Sequence, residues 1–293
     1  MKTGIVEKVG IYLLKKGYTI KSLTRTAFDI LARNEKRILL IKVLEDANSI
    51  SEEYASQMRH VASYIGASPL VISEKAGNRL YDNIVYSRCG IYTLNFSTFR
   101  NSVENKFPFI RSGRAGPTAR VLGDKIKRIR EQEGISLGDI SRKVGVSKKM
   151  VQRYEKGQAD VTVNKALKIY DIFGHSVFDK INVFERQSEL RHIERHPAAS
   201  GDVVRKYSDL GFEAVDTKKV PFDVIAKKKD ELILTKVGDK PGPGLDSLSK
   251  LVDADRLTIY RKKKPKEIPA LTKKEFMEFE KASELIKFLK EFE

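Results

Sequence analysis

Five residues between Lys148 and Lys156 carry the chain's densest base-reading chemistry: Lys148, Lys149, Gln152, Arg153 and Lys156. Lysine and arginine can donate to guanine O6 and N7, and a glutamine amide can pair with adenine N6 and N7. Each good bidentate contact discriminates by about 1–3 kcal/mol. At helical spacing these side chains share one face, and Val151 and Tyr154 take the other. No other grouping in the chain competes with this one. The four histidines are His60, His175, His192 and His196; only the last two lie four apart, a spacing that permits a zinc pair. No cysteine is near them, and a solvated polar helix is the expectation. The single cysteine, Cys89, excludes an intramolecular disulfide and a thiolate zinc cluster, and its apolar surroundings suggest an inert thiol. The Gly/Pro loop at 238–244 lacks the Gly-Lys-Ser/Thr ending of a phosphate loop. No metal, cofactor or catalytic residue is expected.

Short helices must position the basic face. Leu122, Ile126 and Ile129 share one helix face, stopped at Gly134. Ser136 with Asp139 three residues on forms a capping signature ahead of Leu137, Ile140 and Val144. Gly145 follows at once, where a tight turn needs φ > 0. Ser147 caps the next helix, which ends at Gly157, and Val163, Leu167 and Tyr170 are expected to line the inner face of a fourth. Two short helices joined by a glycine turn inside a small helical core form a helix-turn-helix, whose second helix fits the major groove. Ser141 falls at the packed joint between the two.

The stretch Ser136–Gly157, SLGDISRKVGVSKKMVQRYEKG, resembles the Cro/lambda-repressor helix-turn-helix family over roughly residues 119–181. The resemblance implies Lys148, Lys149 and Gln152 as base readers, Arg153 and Lys156 nearer the phosphate backbone, and Ser147 as a further contact. That family often has a phosphate-contacting glutamine where this chain has Leu137, so Ser136 or Arg142 is expected to compensate.

The flanks alternate helical and strand patterns, and one echoes the other. Residues 17–43 align without a gap on 211–237 at an offset of 194, with seven identities that include Phe28/Phe222, Asp29/Asp223 and Lys42/Lys236. Each copy therefore holds an aspartate thirteen residues before a lysine. This resembles the restriction-endonuclease-like fold, including archaeal Holliday-junction resolvases. The resemblance implies two carboxylates on a divalent metal and a lysine that assists the attacking water. The second carboxylate belongs two residues before the lysine, where this chain has Leu40 and Leu234. Glu7 could supply the family's helix acid in the first copy, but Gly201 stands there in the second; Glu45 and Asp46 lie beyond the strand position required. Asp29, Lys42, Asp223 and Lys236 are therefore read as vestigial positions, retained as structural ion pairs or fold remnants.

The expected fold is α/β plus all-α: a central lambda-repressor-like domain between two related α/β, nuclease-like domains. The expected boundaries are 1–108 for the first α/β domain, 109–118 for a linker, 119–183 for the helical domain (motif 136–155) and 197–293 for the second α/β domain. The chain has 293 residues and a net charge of +17, distributed as +8 over 1–118, +6 over 119–183 and +3 over the rest. The shortest piece has the highest charge per residue, which points to a polyanion. No apolar run approaches 18 residues, so neither a membrane span nor a membrane partner is expected. The architecture resembles archaeal HTH-type transcriptional regulators of about this length. The expected function is sequence-specific binding of double-stranded DNA by a cytoplasmic homodimer that regulates transcription and is not an enzyme, with the transcription machinery as a further partner. The alternatives are a structure-specific, metal-dependent nuclease with a helix-turn-helix targeting module, and an architectural protein without a defined operator.

Overall fold

The computed structural model describes residues 2–113, 116–185, 201–239, 244–262, 264–265 and 269–292. The apolar run at β3 (Ile38–Val43) is buried along almost its whole length, because both its faces are covered. Its antiparallel neighbour β2 (Ile30–Arg33) joins it through a tight turn, in which Asn34 Oδ1 accepts the N–H groups of Lys36 and Arg37. Ahead of them lie α1 (Lys2–Lys15) and the edge strand β1 (Thr19–Ser22). Then follow α2 (Glu52–Ile65), capped by Ser51 and closed by Gly66 at φ 69°, and β4 (Ser68–Ile72). The hairpin β5 (Lys75–Ala76) and β6 (Asn78–Arg79) leads to β7 (Ile84–Arg88), β8 (Ile91–Leu94) and α3 (Phe96–Val103).

Residues 109–118, expected as a linker, instead carry two strands, β9 (Ile110–Gly113) and β10 (Gly116–Ala119). β9 pairs parallel with β7, giving that strand's outer N–H and C=O groups partners. The helical unit follows with α4 (Gly123–Gln132), α5 (Leu137–Val144), α6 (Lys148–Glu155), β11 (Val161–Thr162) and α7 (Val163–Phe173). β11 pairs with β10 at Thr118 and Ala119 only, so Pro117 needs no N–H on that side. One sheet thus runs β1-β2-β3-β4-β8-β7-β9-β10-β11, from the first α/β unit into the helical unit. The chain returns along the same route. Val183, Ile181 and Phe184 pack into the first unit's core, Ile181 N–H donates to Pro108 O at 2.7 Å, and Ser68 Oγ–H donates to Phe184 O at 2.5 Å. The helical unit is therefore strapped at both ends.

The last unit comprises α8 (Asp202–Asp209), β12 (Glu213–Asp216), β13 (Val224–Lys228), β14 (Glu231–Val237), α9 (Leu245–Leu251), β15 (Asp255–Tyr260), β16 (Ala270–Thr272), α10 (Lys273–Glu278) and α11 (Ala282–Lys290). Its sheet, β12-β13-β14-β15-β16, has the pairing directions of β1-β2-β3-β4-β8: antiparallel twice, then parallel twice. Even the register repeats. Thr19 faces Arg33 as Glu213 faces Lys227, and Ile30 faces Ile41 as Val224 faces Thr235.

The two α/β units share a core. Leu31, Leu40, Ala55 and Met58 of the first belong to one buried cluster with Ile225, Leu232, Leu234 and Leu248 of the last. The contacts are reciprocal. α2 packs on β13, and α9 packs on β1 and β2. Arg33 Nη1 donates to Leu251 O at the end of α9, and Lys227, its counterpart, donates through Nζ to Tyr64 O near the end of α2, both at 3.0 Å. Ala27 N–H donates to Lys219 O at 2.6 Å, whereas the matching Pro221 has no N–H to return the bond. The chain pairs with itself about a pseudo-two-fold axis, as an isologous dimer does.

Candidate nucleic-acid interface

The motif is built from local rules. Ser136 Oγ accepts Asp139 N–H while Asp139 accepts Ser136 N–H, a reciprocal capping box that starts α5. Gly145 closes α5 at φ 73°, in the left-handed region that favours glycine. Ser141 Oγ–H donates to Val146 O at 2.5 Å, pinning the turn at the expected joint. Ser147 Oγ accepts Met150 N–H and starts α6. Ile140, Val144, Val151 and Tyr154 are buried in the helical unit's own core. On the outer side of α6, Lys148, Lys149, Gln152 and Arg153 are all exposed, with Lys156 just beyond its end.

Tertiary contacts hold α6 in place. Arg130 of α4 forms a two-pronged pair with Glu155, Nε to Oε1 at 2.5 Å and Nη2 to Oε2 at 3.4 Å, with both side chains largely buried. The same glutamate raises the guanidinium's pKa above its ordinary value. At Gly123 a side chain would collide with the carbonyl oxygens of Tyr154 and Glu155, so α4 and the end of α6 touch backbone to backbone. Sequence reasoning missed Arg130, Glu155 and Gly123. Glu155 stands in the Tyr154–Gly157 end of the helix-turn-helix stretch, but nothing in its spacing names a partner 25 residues away.

The expected phosphate contacts fare differently. Ser136 spends its side chain and its N–H on the capping box. Arg142 pairs with Asp139 while remaining largely exposed. Hydrogen bonds from Ser136, then Arg142, hold the Asp139 carboxyl below its ordinary pKa. Ser147 keeps its hydroxyl proton free of the cap, because the cap uses oxygen as acceptor.

Two apolar expectations are corrected. Ala166, Ile169 and Phe173 form the inner face of α7, whereas Leu167 and Tyr170 are 60% and 48% exposed. Leu122, at the N-cap of α4, is also exposed. Helix α7 has more apolar positions than its one buried face can take, and Leu122 lies outside the turns of α4 that bury Ile126.

The repeated Asp–Lys positions superpose in chemistry as well as in register. Asp29 Oδ2 accepts Val43 N–H at 2.8 Å and Lys42 Nζ lies 3.4 Å from Asp29 Oδ1. Asp223 Oδ2 accepts Val237 N–H at 2.7 Å and Lys236 Nζ lies 2.9 Å from Asp223 Oδ1. The first pair is buried and the second half-buried. Leu40 and Leu234, the positions a second metal-binding carboxylate would need, are buried in the core shared by the two α/β units. Glu7 is exposed on α1. Among the described residues no group of three or more His, Cys, Asp or Glu side chains is placed to hold a metal. His60 lies on α2, His175 in the turn after α7, and His192 and His196 outside the described residues. Burial pushes the Cys89 thiol's pKa up, away from the reactive thiolate. Among the described residues no helix is long and apolar enough to cross a membrane.

Residues 2–108 match the family described as PD-(D/E)XK superfamily domain, and residues 126–177 match the helix-turn-helix family. The chain carries a PD-(D/E)XK-like domain and a helix-turn-helix domain. Its similarity to archaeal proteins extends over nearly its whole length. A protein of Archaeoglobus fulgidus is 29% identical over 99% of this chain and 98% of its own. One of Methanosarcina acetivorans is 29% identical over 90% and 88%, and one of Methanocaldococcus jannaschii 27% over 92% and 90%. All three bear the name "Putative HTH-type transcriptional regulatory protein". No solved structure matches the chain.

Proposed function

We propose that this protein is a sequence-specific, DNA-binding transcriptional regulator that acts as a homodimer in the cytoplasm and is not an enzyme. Helix α6 enters the major groove, Lys148, Lys149 and Gln152 reach base edges, and Arg153, Lys156 and Ser147 reach phosphate. The observation that carries this reading is the exposed polar face of α6 behind a capped, glycine-turned α5. The names of the archaeal relatives support it. The helix-turn-helix domain, residues 119–183, lies between two related α/β domains, 1–108 and 197–293, and the strands at 110–119 hold it in a set orientation.

The nuclease reading draws support from the PD-(D/E)XK match alone. Against it stand the leucines at the two carboxylate positions, and the engagement of each aspartate by its lysine and a backbone N–H. The test is to incubate the full protein with fragments of its own genome and magnesium, sequence what it retains, and run the same samples for cleavage. Enrichment of a two-fold symmetric site without cleavage is expected. Cleavage abolished by Asp29→Ala or Asp223→Ala would make the protein a nuclease instead.

A further inference from the structure

Resting on that regulator reading, we infer that Lys165 and Lys168 of α7, gathered at the glycine turn ahead of α6, clamp a backbone phosphate of the DNA that α6 enters. Neither residue belongs to the motif itself. Helix α7 packs on α5, with Ala166, Ile169 and Phe173 in the helical unit's core. Lys165 and Lys168, one turn apart on α7, both reach the far end of α5. Lys165 Nζ donates to Gly145 O at 2.8 Å. A methyl group placed on Gly145 would lie 3.2 Å from Lys165 Nζ and 3.6 Å from Lys168 Nζ. Two ammonium groups therefore meet over one glycine, which is itself exposed.

The fold accounts for one of these charges. The carbonyl end of α5 is partially negative, and Lys165 caps it. Lys168 brings a second cation beside the first, and Lys143, in the last turn of α5, adds a third charge to that end. Like charges so gathered repel one another unless an anion joins them. The protein's own carboxylates do not. Ion pairs in the helical unit go to arginines: Arg120 with Asp160, Arg130 with Glu131 and Glu155, and Arg142 with Asp139. Asp171, one turn beyond Lys168, is exposed and forms no ion pair among the described residues. An ammonium has three N–H donors, and Lys165 gives one to Gly145 O, so both lysines keep donors for an oxyanion. The place of the turn names that anion. Ser147, two residues after Gly145, starts α6 and keeps its hydroxyl proton, so a phosphate held here borders the helix proposed to enter the groove. Ser136 and Arg142, the expected anchors of α5, are engaged with Asp139. A contact from α7 fixes how α6 sits on the duplex without reading a base.

The test measures binding of the full chain to a duplex of random sequence across salt concentrations, where backbone contacts act alone. Lys165→Gln with Lys168→Gln loses one phosphate contact, so the slope of log K against log[salt] becomes shallower by about 0.9. Preference for a selected genomic site over the random duplex stays as in the wild type, and Lys165→Arg with Lys168→Arg keeps the slope. Lys168→Gln alone spares the Gly145 bond and still weakens binding to the random duplex. A wild-type slope in the double glutamine variant overturns the proposal and leaves the lysines as a cap on α5, whatever happens to the melting temperature. Titration with inorganic pyrophosphate is the second arm: binding heat that this variant loses while its slope stays that of the wild type assigns the site to a free phosphate and overturns the DNA contact. A wild type whose slope the variant reduces, but which prefers no genomic site, keeps the clamp and sinks the regulator. A wild type that binds no DNA overturns both.

Discussion

Lys149 and Gln152 differ from the other polar residues of the motif in what their removal takes away. Both project from the first turns of α6 and both are exposed. On the proposed reading, truncating them together removes two base-reading side chains and leaves Arg153 and Lys156 for phosphate. Lys149→Ala with Gln152→Ala should therefore abolish preference for the selected site, by about 1–3 kcal/mol per lost bidentate contact, while salt-sensitive binding persists. An unchanged footprint would remove α6 from the groove. The Asp–Lys pairs allow a second comparison. Asp29→Ala removes a carboxylate from a buried ion pair with Lys42, which destabilises by about 3–5 kcal/mol, whereas Asp223→Ala acts on a half-buried pair and should cost clearly less. Equal midpoints in urea denaturation would contradict this ordering. The placement of Lys149 and Gln152 on the exposed face of α6 is legible in the sequence, because caps, glycine turns and the face of a short helix are set by near neighbours. The Arg130–Glu155 pair is not, since it joins two helices across 25 residues. The sequence places Ser136 at the start of α5 as a candidate DNA contact, and the structure shows its N–H and hydroxyl engaged with Asp139 in the helix cap.

At the level of elements, the strands were legible where apolar runs were long, as in β3 and β14, and hidden where they were polar and glycine-rich, as in β9 and β10. Those two owe their form to the open edge of β7 rather than to propensity. Helix α2 shows the same dependence on context. Gln57, His60 and Tyr64 share one face of it, and Gln57 and Tyr64 both bond to the last unit, accepting from Lys218 N–H and Lys227 Nζ. Burial, then nearby Arg59, holds the His60 imidazole below its ordinary pKa. A depressed pKa means the folded protein resists a proton that the unfolded chain accepts. The stability is whole above the unfolded value of about 6.5 and falls as pH drops through the folded one. The thermal midpoint should therefore decline from about pH 7.5 to about pH 5.5, and decline less in His60→Gln. Parallel pH profiles for the two proteins would exclude His60 from the seam's titration.

Over the whole molecule, the repeated units bear on the proposal that a nuclease-like fold serves as a scaffold here. Side chains alternate across a strand, so Leu40 and Lys42 point to the same side of β3. That side faces α2, where Lys42 Nζ lies 5.1 Å from the Tyr54 ring centre, and the core shared with the last unit. Leu234 occupies the matching place on β14. The face on which a PD-(D/E)XK site would be assembled is thus the face by which each unit holds the other. A carboxylate there would be a charge in an apolar seam, and an open cleft there would separate the units. Leu40→Glu restores the acid-x-lysine spacing beside Lys42 and so sets the two roles against each other. If the seam is structural, that substitution lowers the unfolding midpoint strongly, because it puts a carboxylate in place of a leucine buried in the shared core, and produces no magnesium-dependent cleavage. Leu40→Met, which keeps the volume, should cost less than about 1.5 kcal/mol. Cleavage by a Leu40→Glu protein that melts like the wild type would mean that the face opens to DNA, and would overturn the proposal that the pairing of the two units closes it.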